Sequence, residues 1–208
     1  MDGADLSQEA DGRRKRLKHA NRQAILEAAR GVFARTGYEA TTVRDIIRET
    51  KLASGTFYNY FKSKEEVFHA LASSSAARFR PFLRDVREKT DGFEAFICGA
   101  YQAYFQFLSD ENSEAISMGT PHMALIGVRV DTPEMQAVFE EIRGDIEDML
   151  ALGDPKLVDT EYLAAAAIGI ARDVGDHMLQ RRPVDVDGAT EFATALLLSG
   201  ITGLIGKI

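Results

Sequence analysis

Ser54, Gly55 and Thr56 stand directly before Phe57, Tyr58, Tyr60 and Phe61, with Lys62 and Lys64 following, in the stretch SGTFYNYFKSKEE (54–66). Small residues let a backbone approach a partner closely, and Tyr58, Tyr60 and Lys64 can reach phosphates. Phe57 and Phe61, four apart, would anchor the segment to a core behind it. This is chemistry for holding a polyanion. Bond-breaking chemistry has much thinner support. His19, His69, His122 and His177 are scattered, and the chain has no HExxH, GxSxG, Walker or GxGxxG pattern. Asp173 and His177, four apart, could with Cys98 or His122 imitate a metal or nucleophile site, but a surface pair or a polar contact in a pocket fits that spacing better. A single cysteine excludes an intrachain disulfide and a multi-cysteine metal centre. Cys98 is expected as a small buried hydrophobe, and no cofactor is expected.

Charge is divided along the chain. From Arg13 to Lys64 there are thirteen Lys/Arg against four Asp/Glu, hence +9; residues 1–12 carry −4 and residues 65–208 carry −12, which recovers the total of −7. A basic module that meets a polyanion, followed by an acidic module that does not, is the simplest reading. The 45% apolar and 27% charged composition is that of a globular protein with a real core. The run FATALLLSGITGLIG (192–206) has no charge, but as a helix it reaches only about 22 Å against a hydrocarbon layer of about 30 Å, so an interface helix is expected and no membrane partner. With no apolar stretch after the N-terminal charges, a reducing cytoplasm is the expected location.

The elements that must position these residues repeat at helical spacing, and strand signals are nearly absent. Residues 1–17, with RRKR at 13–16, read as a basic flexible arm. A first helix spans about 18–36, with Ile25, Ala28, Ala29, Val32 and Phe33 on its apolar stripe and Gly37 as its stop. Thr42 caps a second helix to about Thr50, carrying Val43, Ile46 and Ile47 inward. Ser54 caps a short third helix to about residue 60. Ser63 and Glu66 form a capping box for a fourth, which runs to about Lys89 with a break or kink at Pro81. Further helices are expected at 91–109, from Pro133 to about Leu152, at 159–180 and at 187–206, with 120–132 irregular. The expectation is an all-α chain of about nine helices: an arm (1–17), a three-helix helix-turn-helix domain (18–65) and a larger helical domain for ligand binding and dimerisation (66–208).

Helices at 42–50 and 54–60 joined by three residues have helix-turn-helix dimensions, an arrangement in which the second helix enters the major groove. The string AILEAARGVFARTGYEATTVRDIIRETKLASGTFYNYFKSKEEVFHAL (24–71) closely resembles the N-terminal domain of TetR-family transcriptional repressors in the order and spacing of its "GY..TTV..I" and "S.GTFY.YF.SKE.V" segments. The resemblance covers about fifty residues directly. It implies a phosphate contact at Thr42, a base or phosphate contact at Arg44, base readers at Ser54, Gly55 and Thr56, and backbone contacts at Tyr58, Asn59, Tyr60 and Lys64. Arg44 alone among them could make a bidentate guanine contact. Lys51 departs from the family's frequent turn glycine, and a left-handed turn there would cost lysine about 1 kcal/mol. The RRKR segment could lie on phosphates or in the minor groove.

The acidic part carries small residues along its last two helices. Ala165, Gly169 and Arg172 share one side of the first, and Ala193, Leu197, Gly200 and Leu204 one side of the second. A four-helix homodimer interface through 159–180 and 187–206 is expected, as the resemblance also implies, with an intrachain hairpin core as the alternative. A two-fold dimer would require a near-palindromic double-stranded DNA operator. The middle helices are expected to enclose an apolar pocket lined by Phe96, Tyr101, Tyr104, Phe105, Met118, Met123, Met135 and Phe139. His122, Arg129, Asp173 and His177 are its candidate polar contacts. A small apolar effector, acyl- or lipid-like, suits this mixture of sulfur and aromatic groups. The functional expectation is a ligand-responsive repressor. The alternative is a helical enzyme, or a protein-binding adaptor, using the C-terminal pocket.

Overall fold

The structure is a computed structural model that describes residues 3–118, 132–150 and 159–205. Its helices are α1 (Gly3–Thr36), α2 (Val43–Glu49), α3 (Ser54–Tyr58), α4 (Lys64–Lys89), α5 (Phe93–Glu111), α6 (Ser113–Met118), α7 (Pro133–Leu150), α8 (Thr160–Gln180) and α9 (Val186–Ile205), with no strand among the described residues. The expected irregular stretch 120–132 lies almost wholly outside those residues. Two compact units are distinguished, Met1–Leu71 and Ala72–Ile208, and the division falls inside α4.

In the first unit, Ile25, Leu26, Ala29, Val32 and Phe33 of α1 are buried with Ile46, Phe57, Phe61, Val67 and Phe68. The α1 stripe is close to the expected one, with Leu26 inside and Ala28 only half-buried. Gly37 ends α1 with φ +79°, its N–H donating to the Phe33 carbonyl at 2.8 Å, the left-handed stop that glycine adopts most cheaply. The expected flexible arm is corrected: α1 already begins at Gly3. RRKRLKHANRQ (13–23) lacks proline and is rich in Arg, Lys, Leu, Ala and Gln, all good helix formers, so the helix propagates back through it.

In the second unit, α5 is enclosed. Phe96, Ile97, Tyr101, Phe105, Phe107 and Leu108 are all buried, alongside Ile146 of α7, Leu163 and Leu179 of α8, and Ala193 and Leu197 of α9. The close approach of α5 to α8 depends on Gly175: a Cβ there would stand 2.7 Å from Leu108 Cδ1 and 3.3 Å from Phe105 Cε1. Helix α4 continues through Pro81 as one element. It meets α7 through a ladder of polar bridges: Ser73 to Glu134 at 2.7 Å, Arg80 to Glu141, and Arg87 to Asp145 at 2.6 Å. Burial nonetheless pushes the Asp145 carboxyl above its ordinary value, outweighing the guanidinium of Arg87.

Cys98 is exposed, which corrects the expectation of a buried thiol. It follows Ile97 on α5 and so points away from the Phe96, Ile97, Tyr101 and Phe105 face.

Candidate nucleic-acid interface and ligand cavity

Helix α2 is fixed at its start by a reciprocal cap. The Thr42 hydroxyl accepts from the Asp45 N–H at 3.3 Å, while the Asp45 carboxylate accepts from the Thr42 N–H at 3.0 Å and from its hydroxyl at 2.6 Å. These bonds hold the Asp45 carboxyl below its ordinary value. The turn that follows is built by Thr50, whose hydroxyl donates to the Ile47 carbonyl at 2.9 Å and accepts from the Leu52 N–H at 3.3 Å. No non-glycine residue described has positive φ, so the strain foreseen for Lys51 does not arise. Ala53, not Ser54, is the N-cap of α3, with no side-chain bond there; Ser54 is the first helical residue. At the start of α4 the Glu66 N–H donates to Ser63 Oγ at 3.3 Å. The Glu66 carboxylate accepts from the Lys62 N–H at 2.7 Å, one residue earlier than a capping box would have it.

The α2–α3 corner thereby presents two sides. Ile46, Phe57 and Phe61 are buried, and Phe57 meets the rings of Tyr58 and Phe61 at 5.5 and 6.2 Å. Thr42, Arg44, Ser54, Gly55, Tyr58 and Asn59 are exposed, Tyr58 to 57%, while Thr56 and Tyr60 are half-buried. The nine residues expected to contact DNA thus lie on one short segment, with the anchors facing inward. Lys64 behaves differently from the rest. Its ammonium donates to the carbonyls of Tyr38 and Glu39 at 2.8 and 3.0 Å and sits 4.6 Å from the centre of the Tyr38 ring, so much of its bonding capacity is spent inside the protein. Arg22 covers the Phe61 ring at 5.3 Å. That contact was not foreseen, because the two residues are far apart in sequence.

A cavity of about 550 Å³ lies within the second unit, between α4, α5, α7 and α8. Of the expected lining, Phe96, Tyr101, Tyr104, Met135 and Phe139 face it. Phe105 does not: it is buried on the Gly175 side of α5, stacked on Tyr101 at 5.9 Å. Asp173 and His177 are exposed and do not line it, because they fall on the outer side of α8. His122, Met123 and Arg129 lie outside the described residues, as does the side chain of Met118. Sequence reasoning missed Phe79 and Leu83 from α4 and the polar pair Gln136 and Arg172. Arg172 sits one residue before Asp173, and only the helix register separates lining from surface.

Helices α8 and α9 leave apolar groups in the open. Tyr162 is 76% exposed, Phe192 60% and Leu196 49%. The α9 face expected at the interface is corrected, since Ala193 and Leu197 are buried in the chain's own core. The outward stripe is instead Phe192, Ala195, Leu196, Ser199 and Gly200. On α8, Ala165 is exposed and Gly169 and Arg172 are half-buried. The side chain of Leu204 lies outside the described residues. No helix among the described residues is long and apolar enough to cross a membrane.

A capped helix, a four-residue connection (50–53) and a short second helix anchored by Phe57 and Phe61, on a basic segment, define a helix-turn-helix DNA-binding protein. Residues 25–71 match the family described as "Bacterial regulatory proteins, tetR family". Over those residues the chain is similar to the N-terminal domain of that family. It is similar to the HTH-type transcriptional regulator TcmR of Streptomyces glaucescens, 27% identical over 168 residues, covering 79% of this chain and 74% of that protein. It is 47% identical over 58 residues to the HTH-type transcriptional repressor AcnR of Corynebacterium efficiens, a match spanning 28% of this chain and 31% of that one. Its fold is shared with the transcriptional regulator FadR from Bacillus subtilis, solved in complex with stearoyl-CoA. There the TM-score is 0.66 at 19% identity, over 86% of this chain and 98% of that one.

Proposed function

We propose that this regulator is a ligand-responsive repressor that binds a near-palindromic DNA operator as a homodimer and is released by a small apolar effector, acyl- or lipid-like in character. The observation that carries the reading is the two-sided α2–α3 corner. Its outward residues Arg44, Ser54, Gly55, Tyr58 and Asn59 are exposed, and they sit on the segment that holds +9 of charge in a chain of −7. Residues 18–65 act as the DNA-binding domain, and the basic residues 13–16 extend its electrostatic footprint. In this reading Thr42, Tyr58, Asn59, Tyr60 and Lys64 position the protein on phosphates. Arg44, Ser54, Gly55 and Thr56 meet base edges.

Residues 66–208 serve ligand binding and dimerisation. The exposed apolar stripe of α9 beside α8 supports a two-fold interface. The apolar cavity, with the long-chain thioester bound by the B. subtilis FadR of the same fold, supports a flexible apolar effector. Such a ligand lowers operator affinity only by binding better to the conformation that holds DNA poorly.

Selection of genomic fragments by the purified protein, followed by gel shifts in rising salt, tests the reading. Recovered fragments should share an inverted repeat, and several phosphate contacts predict roughly a thousandfold or greater loss of affinity between about 50 and 200 mM salt. A protein that prefers no fragment over random duplex at moderate ionic strength is not this regulator.

A further inference from the structure

The cavity has one polar corner, where Tyr104 and Arg172 hold hydrogen-bond donors that no acceptor among the described residues takes up. Tyr104 of α5 lines the cavity with its ring held edge-on by Phe79 at 5.3 Å and tilted against Phe105 at 5.9 Å. Its hydroxyl has no hydrogen-bond partner among the described residues, although the Tyr101 hydroxyl nearby donates to the Ala167 carbonyl at 3.2 Å. A hydroxyl facing the cavity in this way is open to a ligand's acceptor. Burial drives the Tyr104 phenol well above its ordinary value, so it remains an O–H. Arg172 of α8 lines the same cavity and is the cation that acts on Tyr104. Its Nε bonds the Asp173 carboxylate at 2.9 Å, an exposed partner one residue away. A guanidinium has five N–H donors, and that bond uses one.

The other side-chain donors in this region are engaged elsewhere. Gln136 Nε2 donates to Glu140 at 3.0 Å, and Ser75 Oγ donates to Glu111 at 3.0 Å. Glu111 is further paired with Arg78. Asp176 and Glu111 act on Tyr104 as anions, opposing Arg172, but neither lines the cavity.

We infer that the cavity takes an apolar molecule ending in an oxygen acceptor, a carboxylate or a carbonyl, which is seated by hydrogen bonds from the Tyr104 hydroxyl and the Arg172 guanidinium. This rests on the effector reading above and narrows it. The apolar body lies along Phe79, Leu83, Phe96 and Ile142, where the wall offers no polar partner. At about 550 Å³ the space is within the usual range of roughly 300–1,000 Å³ for small-molecule sites. A site that supplies hydrogen bonds discriminates strongly against an analogue lacking the matching group, because its donors are then left bare. Tyr104 and Arg172 are therefore the specificity-determining pair.

The test uses the full-length protein with decanoic acid, decan-2-one and decane. Binding is read by displacement of the neutral dye N-phenyl-1-naphthylamine and by the shift in Tm, and DNA binding by gel shift on the selected operator. The acid and the ketone should bind at least tenfold more tightly than decane. Tyr104→Phe should erase most of that preference for both while leaving the ligand-free Tm unchanged or slightly raised. Arg172→Gln should weaken the acid more than the ketone. Three compounds that bind alike, or acid and ketone affinities indifferent to Tyr104→Phe, overturn the acceptor assignment and leave the repressor reading standing. Failure of all three to shift either the dye or the Tm also overturns it. If the acid and ketone bind as expected yet leave operator affinity unchanged, the acceptor assignment holds and the effector role falls.

Discussion

Gly55 has no internal reason to be glycine. Its φ is not positive, and a Cβ built there would meet no atom within 4 Å. The space beside it opens outside the chain, where the operator is proposed to sit. Gly55→Ala should therefore leave Tm unchanged or raise it, since alanine is favoured over glycine in a helix by up to about 1 kcal/mol, while operator affinity falls by about tenfold or more. Thermal unfolding beside a gel shift checks both halves, and unaltered affinity would mean that nothing approaches that position closely. Lys64 makes the opposite case. Because it bonds two carbonyls of the loop after α1, its loss would disturb folding as well as any phosphate contact. The inward and outward aromatics were legible, because the four-residue spacing of Phe57 and Phe61 fixes one helical side. The duty of Lys64 was not, since its acceptors are backbone atoms some twenty-five positions away.

At the scale of elements, three helix starts were legible, while helix faces were harder to read. Thr42, Thr132 and Asp159 each accept a hydrogen bond from a backbone N–H in the first turn of the helix that follows, at 3.3, 3.2 and 3.0 Å, and short polar side chains before an apolar run announce such ends. The Thr42–Asp45 cap also carries a pH signature. Asp45 has a folded-state pKa below its ordinary 3.8. Its contribution to stability is therefore complete above about pH 3.8 and lost as pH falls through the lower folded value. Thr42→Ala should cost about 1 kcal/mol at neutral pH. As pH falls through that window the gap between variant and parent should narrow by the part owed to the Asp45 carboxylate, as urea titrations across pH 2–6 would reveal; a constant gap would show that Asp45 does not depend on the cap. The interface face of α9 was misjudged because that helix is apolar nearly all round. Periodicity could not separate Leu196, which is exposed, from Leu197, which is buried. The extent of α1 was missed for a different reason: charge was taken as a sign of disorder, although Arg and Lys are good helix formers.

For the whole molecule, the division of charge and the all-α architecture were legible because both are summed over many residues, so single errors do not matter. The cavity was legible in part. Its aromatic lining on α5 was expected, but the wall supplied by Phe79 and Leu83 of α4 depends on how helices distant in sequence pack. The exposed pair Phe192 and Leu196 gives the proposed dimer a direct test. Placing charges there, as Phe192→Glu with Leu196→Glu, should leave helix content unchanged, because both side chains lie outside the core. The mass in light scattering should fall to that of one 22.9 kDa chain, and binding to an inverted repeat should drop to that of a single half-site. A variant that stays paired would move the interface elsewhere.

The outward position of Cys98 bears on how that mass is measured. With only one sulfhydryl per polypeptide, air oxidation yields a single covalent product, two chains tethered at the second turn of α5. That species would run at twice the monomer mass whatever α8 and α9 do, so the light-scattering comparison needs a reductant throughout. Kept reduced, the same group accepts one maleimide dye per chain without mutagenesis, and energy transfer between two such dyes reports chain pairing directly.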